Sequence, residues 1–199
     1  MVRFRSQSHS LTLLCQIRSP LLLLIFMIII HPSYADEPDE PLRGKDLVNE
    51  VCNHTSDYKF CVDTLLPSAA SAPSATAGEI ANTALRFAQV KATDARVLIA
   101  SLLLKNSSSS TGRRLLQRCQ LDNNKTIREL SSANDDLNSD SIDSMVEDLN
   151  NAANATRSCQ DTIRETPFSS ALDNKNIEVI KLCEIGVVST KFFTIDDFT

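Results

Sequence analysis

The stretch LVNEVCNHTSDYKFCVDTL, residues 47–65, contains two apolar runs separated by the polar break HTSD. Within each run the apolar residues recur at steps of three and four, which is typical of an amphipathic helix, and Pro67 follows the second run. We therefore expect a hairpin of two short helices over residues 44–67. Cys52 and Cys61 stand nine positions apart in this hairpin, a spacing that suits a clamp between the two helices.

The same stretch brings cysteine, histidine and aspartate close together in sequence, so a metal site and a hydrolase site both have to be weighed. A zinc site formed by Cys52, His54 and Cys61 has no clear fourth ligand. A Ser-His-Asp centre would also have to use His54, which is the only histidine after residue 35. We predict no catalytic residue, no metal ligand and no cofactor, and we interpret the stretch as a structural staple.

The first 35 residues have the order of a secretory signal peptide. Three arginines precede an apolar run of ten residues, LLLLIFMIII, and a short segment ending in Ala35 follows it. Ten residues extend about 15 Å as a helix, roughly half of a bilayer's hydrocarbon core. We expect that residues 1–35 are removed and that a secreted chain without a membrane segment starts near Asp36. Its expected location is the apoplast or cell wall, with the vacuole as an alternative.

Charge and composition narrow the class of protein. The formal net charge is -5 and becomes -8 without the three arginines of the leader, which disfavours a nucleic-acid partner. Residues 36–199 suit one compact domain, and four glycines with no tryptophan favour helices over a turn-rich β fold. We expect a flexible acidic lead at residues 36–43 and one all-α domain at residues 44–195.

Four longer amphipathic helices are predicted between residues 76 and 193. Thr76 and Glu79 have the spacing of a capping box at the start of the first of them. The stripes expected to face a common core are Ile80, Ala84, Phe87, Ala95, Leu98 and Leu102 on the first helix, Leu116, Cys119, Asn123, Thr126, Leu130, Ala133 and Leu137 on the second, Ile142, Met145, Val146, Leu149, Ala152 and Ala153 on the third, and Ile177, Ile180, Cys183, Val187 and Val188 on the fourth. This pattern is typical of a helical bundle.

Two charged segments lie within these predicted helices. Residues 135–148 hold six acids and no base, without the glycine and terminal glutamate of a calcium loop. We interpret them as a solvated acidic face, with a partner-binding patch as the alternative. The segment Gly112-Arg113-Arg114-Leu115-Leu116 resembles a basic processing site, but it lies inside the bundle pattern, which favours the start of a helix.

Glycosylation triplets and cysteines agree with a secreted chain. Each Asn-X-Ser/Thr triplet marks a candidate glycosylation site, and there are four, at Asn53, Asn106, Asn124 and Asn154. An odd number of cysteines in a secreted chain leaves one thiol over. The five cysteines after residue 35 are Cys52, Cys61, Cys119, Cys159 and Cys183.

The chain resembles the plant invertase and pectin methylesterase inhibitor family over essentially all of the mature sequence. The resemblance is carried by the signal peptide, the pattern LVNEVCNHTSDYKFCVDTL, a long alanine-rich helix, a cysteine 40 positions before its mate and a fifth cysteine in the last helix. It implies an N-terminal helical hairpin closed by Cys52 with Cys61, followed by an antiparallel four-helix bundle closed by Cys119 with Cys159. Cys183 is then the unpaired thiol, for which we expect a buried and inert position, with intermolecular pairing or redox sensing as the alternative.

The resemblance also implies a function in binding. It predicts a protein that is monomeric when free and binds one-to-one over the active-site cleft of a plant carbohydrate-active enzyme. Tyr58-Lys59-Phe60-Cys61 looks like the invertase-directed branch, so acid invertase (beta-fructofuranosidase) is the expected target and pectin methylesterase (pectinesterase) the alternative. Two features depart from the family pattern. Asn123 stands where many relatives carry a tyrosine, and Thr166-Pro167-Phe168 is the nearest match to the Pro-Lys-Phe tripeptide of some invertase inhibitors.

No target-contact residue can be carried over on a matched motif. Because bundle helices lie across the enzyme cleft in this family, we expect partner contacts at polar positions of the second to fourth bundle helices, including Asp135, Asp136, Asp140 and Asp143. A non-inhibitory extracellular helical protein, of the storage, lipid-carrying or wall-structural kind, is a further alternative that the composition fits as well.

Overall fold

The computed structural model describes residues 41–105 and 110–198, and every regular element in these ranges is helical. The elements are α1 (Gly44–Asn53), α2 (Tyr58–Ser71), α3 (Ala77–Lys105), α4 (Ser110–Asn138), α5 (Ile142–Ile163), α6 (Ser169–Ser189) and the 3-10 helices Thr190–Phe192 and Ile195–Phe198. The predicted all-α fold, a helical hairpin followed by a four-helix bundle with two disulfides, is confirmed. Residues 1–35, most of the lead at 36–43 and Asn106 lie outside the described residues. Among the described helices, none combines the length and apolar composition needed to cross a membrane.

A disulfide closes the hairpin between α1 and α2. Leu47 and Val51 are one helical turn apart and are both buried on the same side of α1. Cys52 and Cys61 are also buried, and they form a disulfide with Cα atoms 5.5 Å apart. The hairpin is therefore clamped covalently at its turn.

Helix α2 begins at a side-chain cap and continues through a proline. The Asp57 carboxylate accepts a hydrogen bond from the backbone N–H of Phe60 at 2.9 Å, which satisfies one of the free donors of the first turn. The expectation that Pro67 ends this helix is wrong, because α2 continues to Ser71. Proline has no N–H to donate to the carbonyl four residues earlier in the helix. Because Pro67 is exposed, water can reach that carbonyl instead.

Helices α3 to α6 form an antiparallel bundle. Going round the bundle, α3 packs against α4, α4 against α5, α5 against α6, and α6 against α3. Ion pairs show the opposed directions of α3 and α6, since Lys91 pairs with Glu178 at 2.8 Å and Asp94, further along α3, pairs with the earlier Lys175 at 3.6 Å.

Alanines fill most of the buried side of α3. They include Ala81, Ala84, Ala88, Ala92 and Ala95, and such small side chains let neighbouring helices approach closely. The prediction that Phe87 faces the core is wrong, because Phe87 is 37% exposed. It precedes the fully buried Ala88 and therefore lies about 100° round the helix from it. Leu98 and Leu102 are half-buried and pack against a second, smaller core cluster.

Helix α6 is contacted from several sides, by α3, α5 and both hairpin helices. Two members of the predicted stripe, Cys183 and Val188, are buried as expected. The other three are not fully buried, since Ile180 and Val187 are half-buried and Ile177 is 37% exposed. A helix with neighbours on several sides has no single apolar face, so its spacing identifies only some of its buried residues. The buried apolar residues are Leu172, Val179, Leu182, Cys183, Ile185 and Val188.

The second disulfide ties α4 to α5 inside the bundle. Cys119 and Cys159 are buried with Cα atoms 4.3 Å apart, and the Asn176 amide of α6 donates to Cys159 Sγ at 3.6 Å. Further along the same helix pair, the hydroxyls of Thr126 and Thr156 are 3.0 Å apart. These contacts set the register of α4 against α5.

Cys183 is a free cysteine buried on α6. Desolvation by burial raises the pKa of its thiol to about 12. The thiolate is the reactive form of cysteine, so a thiol with this pKa is neutral and unreactive at pH 7.

The start of α3 is capped from two directions. Thr76 and Glu79 form a capping box, in which the Thr76 backbone N–H donates to Glu79 Oε2 at 2.9 Å and the Glu79 backbone N–H donates to Thr76 Oγ1 at 3.3 Å. From the C-terminal 3-10 helix, Asp197 Oδ1 accepts the Gly78 backbone N–H at 2.7 Å. The 3-10 helix at the end of the domain is thereby fastened to the beginning of α3.

Candidate functional site

The four aspartates predicted as partner contacts lie together at the turn between α4 and α5. Asp135 and Asp136 are in the last turn of α4, Asp140 is in the connecting turn, and Asp143 is in the first turn of α5. Asp140 has φ 57°, in the left-handed region that aspartate adopts more readily than most residues, and the chain reverses there. We name this surface the acidic end and include in it the neighbouring Glu129, Glu147 and Asp148.

Negative charge at the acidic end is not neutralised by neighbouring bases. The pKa of Asp148 is raised, first by desolvation and then by the nearby carboxylates of Asp136 and Glu129. Within residues 41–105 and 110–198, no Lys or Arg forms an ion pair with any member of the acidic end. In the same ranges, no group of three or more His, Cys, Asp and Glu residues could hold a metal ion. The acidic end is thus a negative surface without compensating bases in the described ranges.

The residues weighed as a metal or hydrolase site make structural contacts. His54 Nδ1 lies 2.9 Å from the Glu50 carbonyl oxygen, and its ring meets the Phe192 ring edge-on with centroids 5.5 Å apart. Ser56 donates from its backbone N–H and its hydroxyl to the Glu184 carboxylate at 2.8 and 2.5 Å. These contacts dock the hairpin turn on α6 and on the 3-10 helix that follows it.

Sequence reasoning misses Lys181 and Glu184, the two charged residues of α6 that hold the hairpin. Lys181 Nζ donates to Asp57 at 2.7 Å and lies 5.1 Å from the centroid of the Phe60 ring. The local signal of a polar contact is that Lys181 and Glu184 have opposite charges, three positions apart, in an otherwise apolar part of α6.

The segment Thr166-Pro167-Phe168, the nearest match to a Pro-Lys-Phe tripeptide, is part of the core. Phe168 is 8% exposed and packs with Ile163 and Leu172 in the smaller core cluster. The Thr166 hydroxyl donates to the Ile163 carbonyl at 2.7 Å. The segment therefore connects α5 to α6 and does not present Phe168 to a partner.

Known proteins share this combination of helices. A family model described as "Plant invertase/pectin methylesterase inhibitor" matches residues 46–187. The chain belongs to this inhibitor family. No curated protein matches it significantly.

Two solved structures of pectin methylesterase inhibitors have a similar fold to this member of the inhibitor family. The crystal structure of mutant form A of a pectin methylesterase inhibitor from Arabidopsis has a TM-score of 0.64 at 21% identity and covers 72% of this chain and 95% of that chain. The crystal structure of a pectin methylesterase inhibitor from Arabidopsis thaliana has a TM-score of 0.58 at 19% identity and covers 74% of this chain and 96% of that chain. At these identities the likeness shows the fold.

A groove of about 440 Å³ runs between α5 and α6 of this inhibitor-family chain. The charged Arg157 and Lys181 line it together with the apolar Ile177 and Ile180. A lipid carrier would need an enclosed apolar cavity, which differs from this mixed surface groove.

Three of the four glycosylation triplets lie in the described part of the inhibitor domain. Asn53 and Asn154 are exposed, and Asn124 is half-buried. The Asn154 side-chain oxygen accepts a hydrogen bond from Arg157 at 3.0 Å. Attachment of glycans at these residues stays a prediction, as it does for Asn106.

Proposed function

We propose that the mature chain is a secreted inhibitor that binds one-to-one over the active-site cleft of a plant carbohydrate-active enzyme. The observation that carries the proposal is the family match over residues 46–187, which includes nearly the whole hairpin and bundle. In this proposal the chain is monomeric when free and performs no catalysis. Residues 1–35 direct it to the apoplast or cell wall, in accordance with their order of arginines, apolar run and small residues.

Pectin methylesterase is the first target that we propose, and acid invertase is the second. The two solved structures described above are both of pectin methylesterase inhibitors, which supports this order. The segment Tyr58-Lys59-Phe60-Cys61 favours invertase by resemblance, yet its residues have local contacts. Lys59 is ion-paired with Asp63, and Lys181 lies over the Phe60 ring. Because contacts within the domain account for these residues, the segment is weaker evidence that invertase is the target.

Inhibition by such a bundle depends on a rigid surface. The two disulfides and the ion pairs between α3 and α6 hold the helices before docking, so little conformational entropy is lost on binding. The acidic end is the proposed contact surface, since its unneutralised charge would steer association with a positively charged partner. Asp135 and Asp143 are exposed on the two sides of its turn.

The proposal is tested by titrating the purified mature protein against a pectin methylesterase and an acid invertase. Stoichiometric loss of methylesterase activity would support the first target, and selective loss of invertase activity would replace it with the second. If a micromolar excess of the protein reduces neither activity, the inhibitor proposal fails for both targets. A storage or wall-structural role would then be the better interpretation.

Neutral substitutions test the acidic end directly. Asp135→Asn together with Asp143→Asn is expected to weaken inhibition about fivefold, because two charges leave the proposed interface. The matched control is Asp46→Asn together with Glu165→Gln, since both residues are exposed and Asp46, like Asp143, lies in the first turn of its helix. Equal weakening of inhibition by the two variants would indicate a general effect of net charge. The acidic end would then not be part of the interface.

A further inference from the structure

The outer face of α4 carries a row of positive charge. Arg114, Arg118, Lys125 and Arg128 are all exposed, and their steps of four, seven and three residues place them along one side of the helix. The row extends about 21 Å from Arg114 to Arg128 at the rise of an α-helix. Leu121 fills the gap in the middle and is 63% exposed. We name these five residues the basic row.

The acids of the same part of α4 are turned toward α5. Asp122 is 8% exposed and accepts a hydrogen bond from the Ser158 hydroxyl of α5 at 2.9 Å. Glu129 lies beside Asp148 of α5 and contributes to the raised pKa of that residue. Because both acids face α5, no acid of α4 lies on the outer face between Arg114 and Arg128.

The bases of the row are poorly neutralised by the chain itself. Arg118 Nε is 3.5 Å from Asp122, whereas Arg114, Lys125 and Arg128 form no ion pair within the described ranges 41–105 and 110–198. Other exposed bases of those ranges, such as Lys45 and Lys191, also have no ion pair, so the row differs from them in its alignment along one helix face. Six bases are paired with carboxylates, namely Arg43, Lys59, Lys91, Arg164, Lys175 and Lys181.

Arg118 pairs with Asp122 on the same helix, but the other bases of the row are placed unfavourably for α4. The first turn of α4 contains no acid, and positive charge near the N-terminus of a helix is opposed by the helix dipole. Arg114 with Arg118, and Lys125 with Arg128, are like-charged neighbours four and three positions apart, which also weakens a helix. The segment Gly112-Arg113-Arg114-Leu115-Leu116 lies within the first turns of α4, so part of the positive charge is close to the N-terminus of the helix. The charges of Arg114, Lys125 and Arg128 are thus not engaged in ion pairs within the described ranges and are available to a partner outside the chain.

We propose that the basic row binds a linear acidic polysaccharide, namely pectin that has lost its methyl esters. This inference rests on the proposed function, because a pectin methylesterase leaves such carboxylate-bearing chains where it has acted. An extended polymer with one carboxylate on each sugar complements a straight row of bases, and Leu121 can contact the C–H groups of a sugar ring. Binding would keep the inhibitor in the part of the wall where its target works.

The acidic end limits where such a polymer can lie. Asp135 follows Arg128 by seven residues on α4, about 10 Å along the helix, and its charge would repel the same carboxylates. The polysaccharide is therefore confined to the first five turns of α4 or so, and the acidic end stays free for an enzyme. The two surfaces have opposite charge and separate partners.

Direct binding of the mature protein to polysaccharide, with no enzyme present and calcium chelated, tests the proposal. The probes are fully de-esterified polygalacturonate and highly methyl-esterified pectin of similar length. We expect binding to polygalacturonate that is at least about tenfold tighter than binding to the esterified chain, and that weakens several-fold from about 50 to about 300 mM NaCl. Absence of binding to polygalacturonate, or equal binding to both polymers, overturns the proposal.

A matched pair of variants assigns the binding to the row. Lys125→Gln with Arg128→Gln removes two charges from it, and we expect about fivefold weaker binding of polygalacturonate. The control, Lys45→Gln with Lys191→Gln, removes two exposed bases elsewhere and is expected to change affinity less than about twofold. Equal losses in both variants would show that net charge, and not the row, governs binding.

Enzyme affinity, measured by calorimetry without polysaccharide, separates this proposal from the proposed function. The row variant should retain affinity for pectin methylesterase while losing affinity for polygalacturonate. If it loses enzyme affinity and the native protein does not bind polygalacturonate, the row belongs to the enzyme interface and the polysaccharide proposal fails alone. If polygalacturonate binds but no enzyme is inhibited, the proposed function fails and the binding role of the row stands.

Discussion

Lys181 of α6 donates from Nζ to the Asp57 carboxylate at 2.7 Å, so a single ion pair joins the bundle to the residue that caps α2. Lys181 first, and the backbone N–H of Phe60 second, hold the pKa of Asp57 below its usual value of 3.8. A carboxyl with a lowered pKa in the folded state stabilises the fold above its unfolded pKa. That contribution is lost as the pH falls below about 3.8 and through the folded pKa.

Asp57→Asn is therefore expected to lower the melting temperature by about 3 °C at pH 6 and by less at pH 3. Circular dichroism melts of the mature protein at the two pH values measure this difference. Asp63→Asn is the control on the same helix, because its ion pair with Lys59 is exposed, and it should change the melting temperature by less than about 1 °C. A drop of equal size at both pH values would speak against the ion pair as the cause.

The two disulfides close loops of different length, and this sets the expected order of their contributions. Cys52 and Cys61 are 9 residues apart, and Cys119 and Cys159 are 40 residues apart. The chain-entropy model gives about 2.5 and about 4 kcal/mol for these loops. Paired alanine substitution at 119 and 159 should thus lower the free energy of unfolding more than the pair at 52 and 61, as urea denaturation would measure. A larger loss of unfolding free energy for the pair at 52 and 61 would mean that loop entropy does not determine the order.

The buried thiol of Cys183 should be chemically silent in the folded protein. Its residue is 1% exposed and burial raises its pKa to about 12, so the thiolate is essentially absent at pH 7. We expect the mature native protein to show no thiol reactive with Ellman's reagent and the denatured, unreduced protein to show one. Rapid reaction of the native protein would contradict the buried position. Cys183→Ala serves as the control that identifies the thiol.

Helix α4 shows what spacing predicts well, and α6 shows where it fails. Helix α4 has one buried side, so spacing alone places Asn123 and Thr126 in the core. The role of Asn123 is not predictable in that way, since it depends on a tertiary contact. Its Nδ2 donates to the Ala92 carbonyl at 3.1 Å, and its Oδ1 has no partner within the described residues. Around α6 the neighbours lie on several sides, and Ile177 is accordingly misplaced.

Charged surfaces were predictable only where like charges are adjacent in sequence. Six of the acids of the acidic end lie within residues 135–148, which contain no base, so local composition alone reveals it. The basic row is interleaved with Asp122 and Glu129, so it becomes visible only once both acids are seen to face α5. The pair of Lys181 and Asp57 spans 124 positions, a separation that no local pattern reports.

Two glycines at close approaches should differ in their tolerance of a side chain. A Cβ on Gly44, which has φ 53°, would lie 2.3 Å from the Pro73 carbonyl oxygen, whereas a Cβ on Gly186 would lie 2.9 Å from Leu149 Cδ1. The Pro73 backbone cannot shift to make room for a Cβ, whereas the end of the Leu149 side chain can. We expect Gly44→Ala to cost about 2 kcal/mol or more of unfolding free energy, and Gly186→Ala about 1 kcal/mol. Chemical denaturation of both variants measures the order, and a larger loss for Gly186→Ala would contradict it.

Repulsion at the acidic end predicts a substitution that stabilises the protein. Desolvation, together with Asp136 and Glu129, raises the pKa of Asp148, so the folded state binds its proton more tightly than the unfolded state. Stability should therefore rise as the pH falls through the folded pKa, and Asp148→Asn should raise the melting temperature at pH 7.5 but much less at pH 4. Glu147→Gln, at an exposed neighbouring position, is the control and should have little effect at either pH. A lower melting temperature for Asp148→Asn at pH 7.5 would mean that its carboxylate makes a favourable contact in the folded state, and the acidic end could not then be an unneutralised surface.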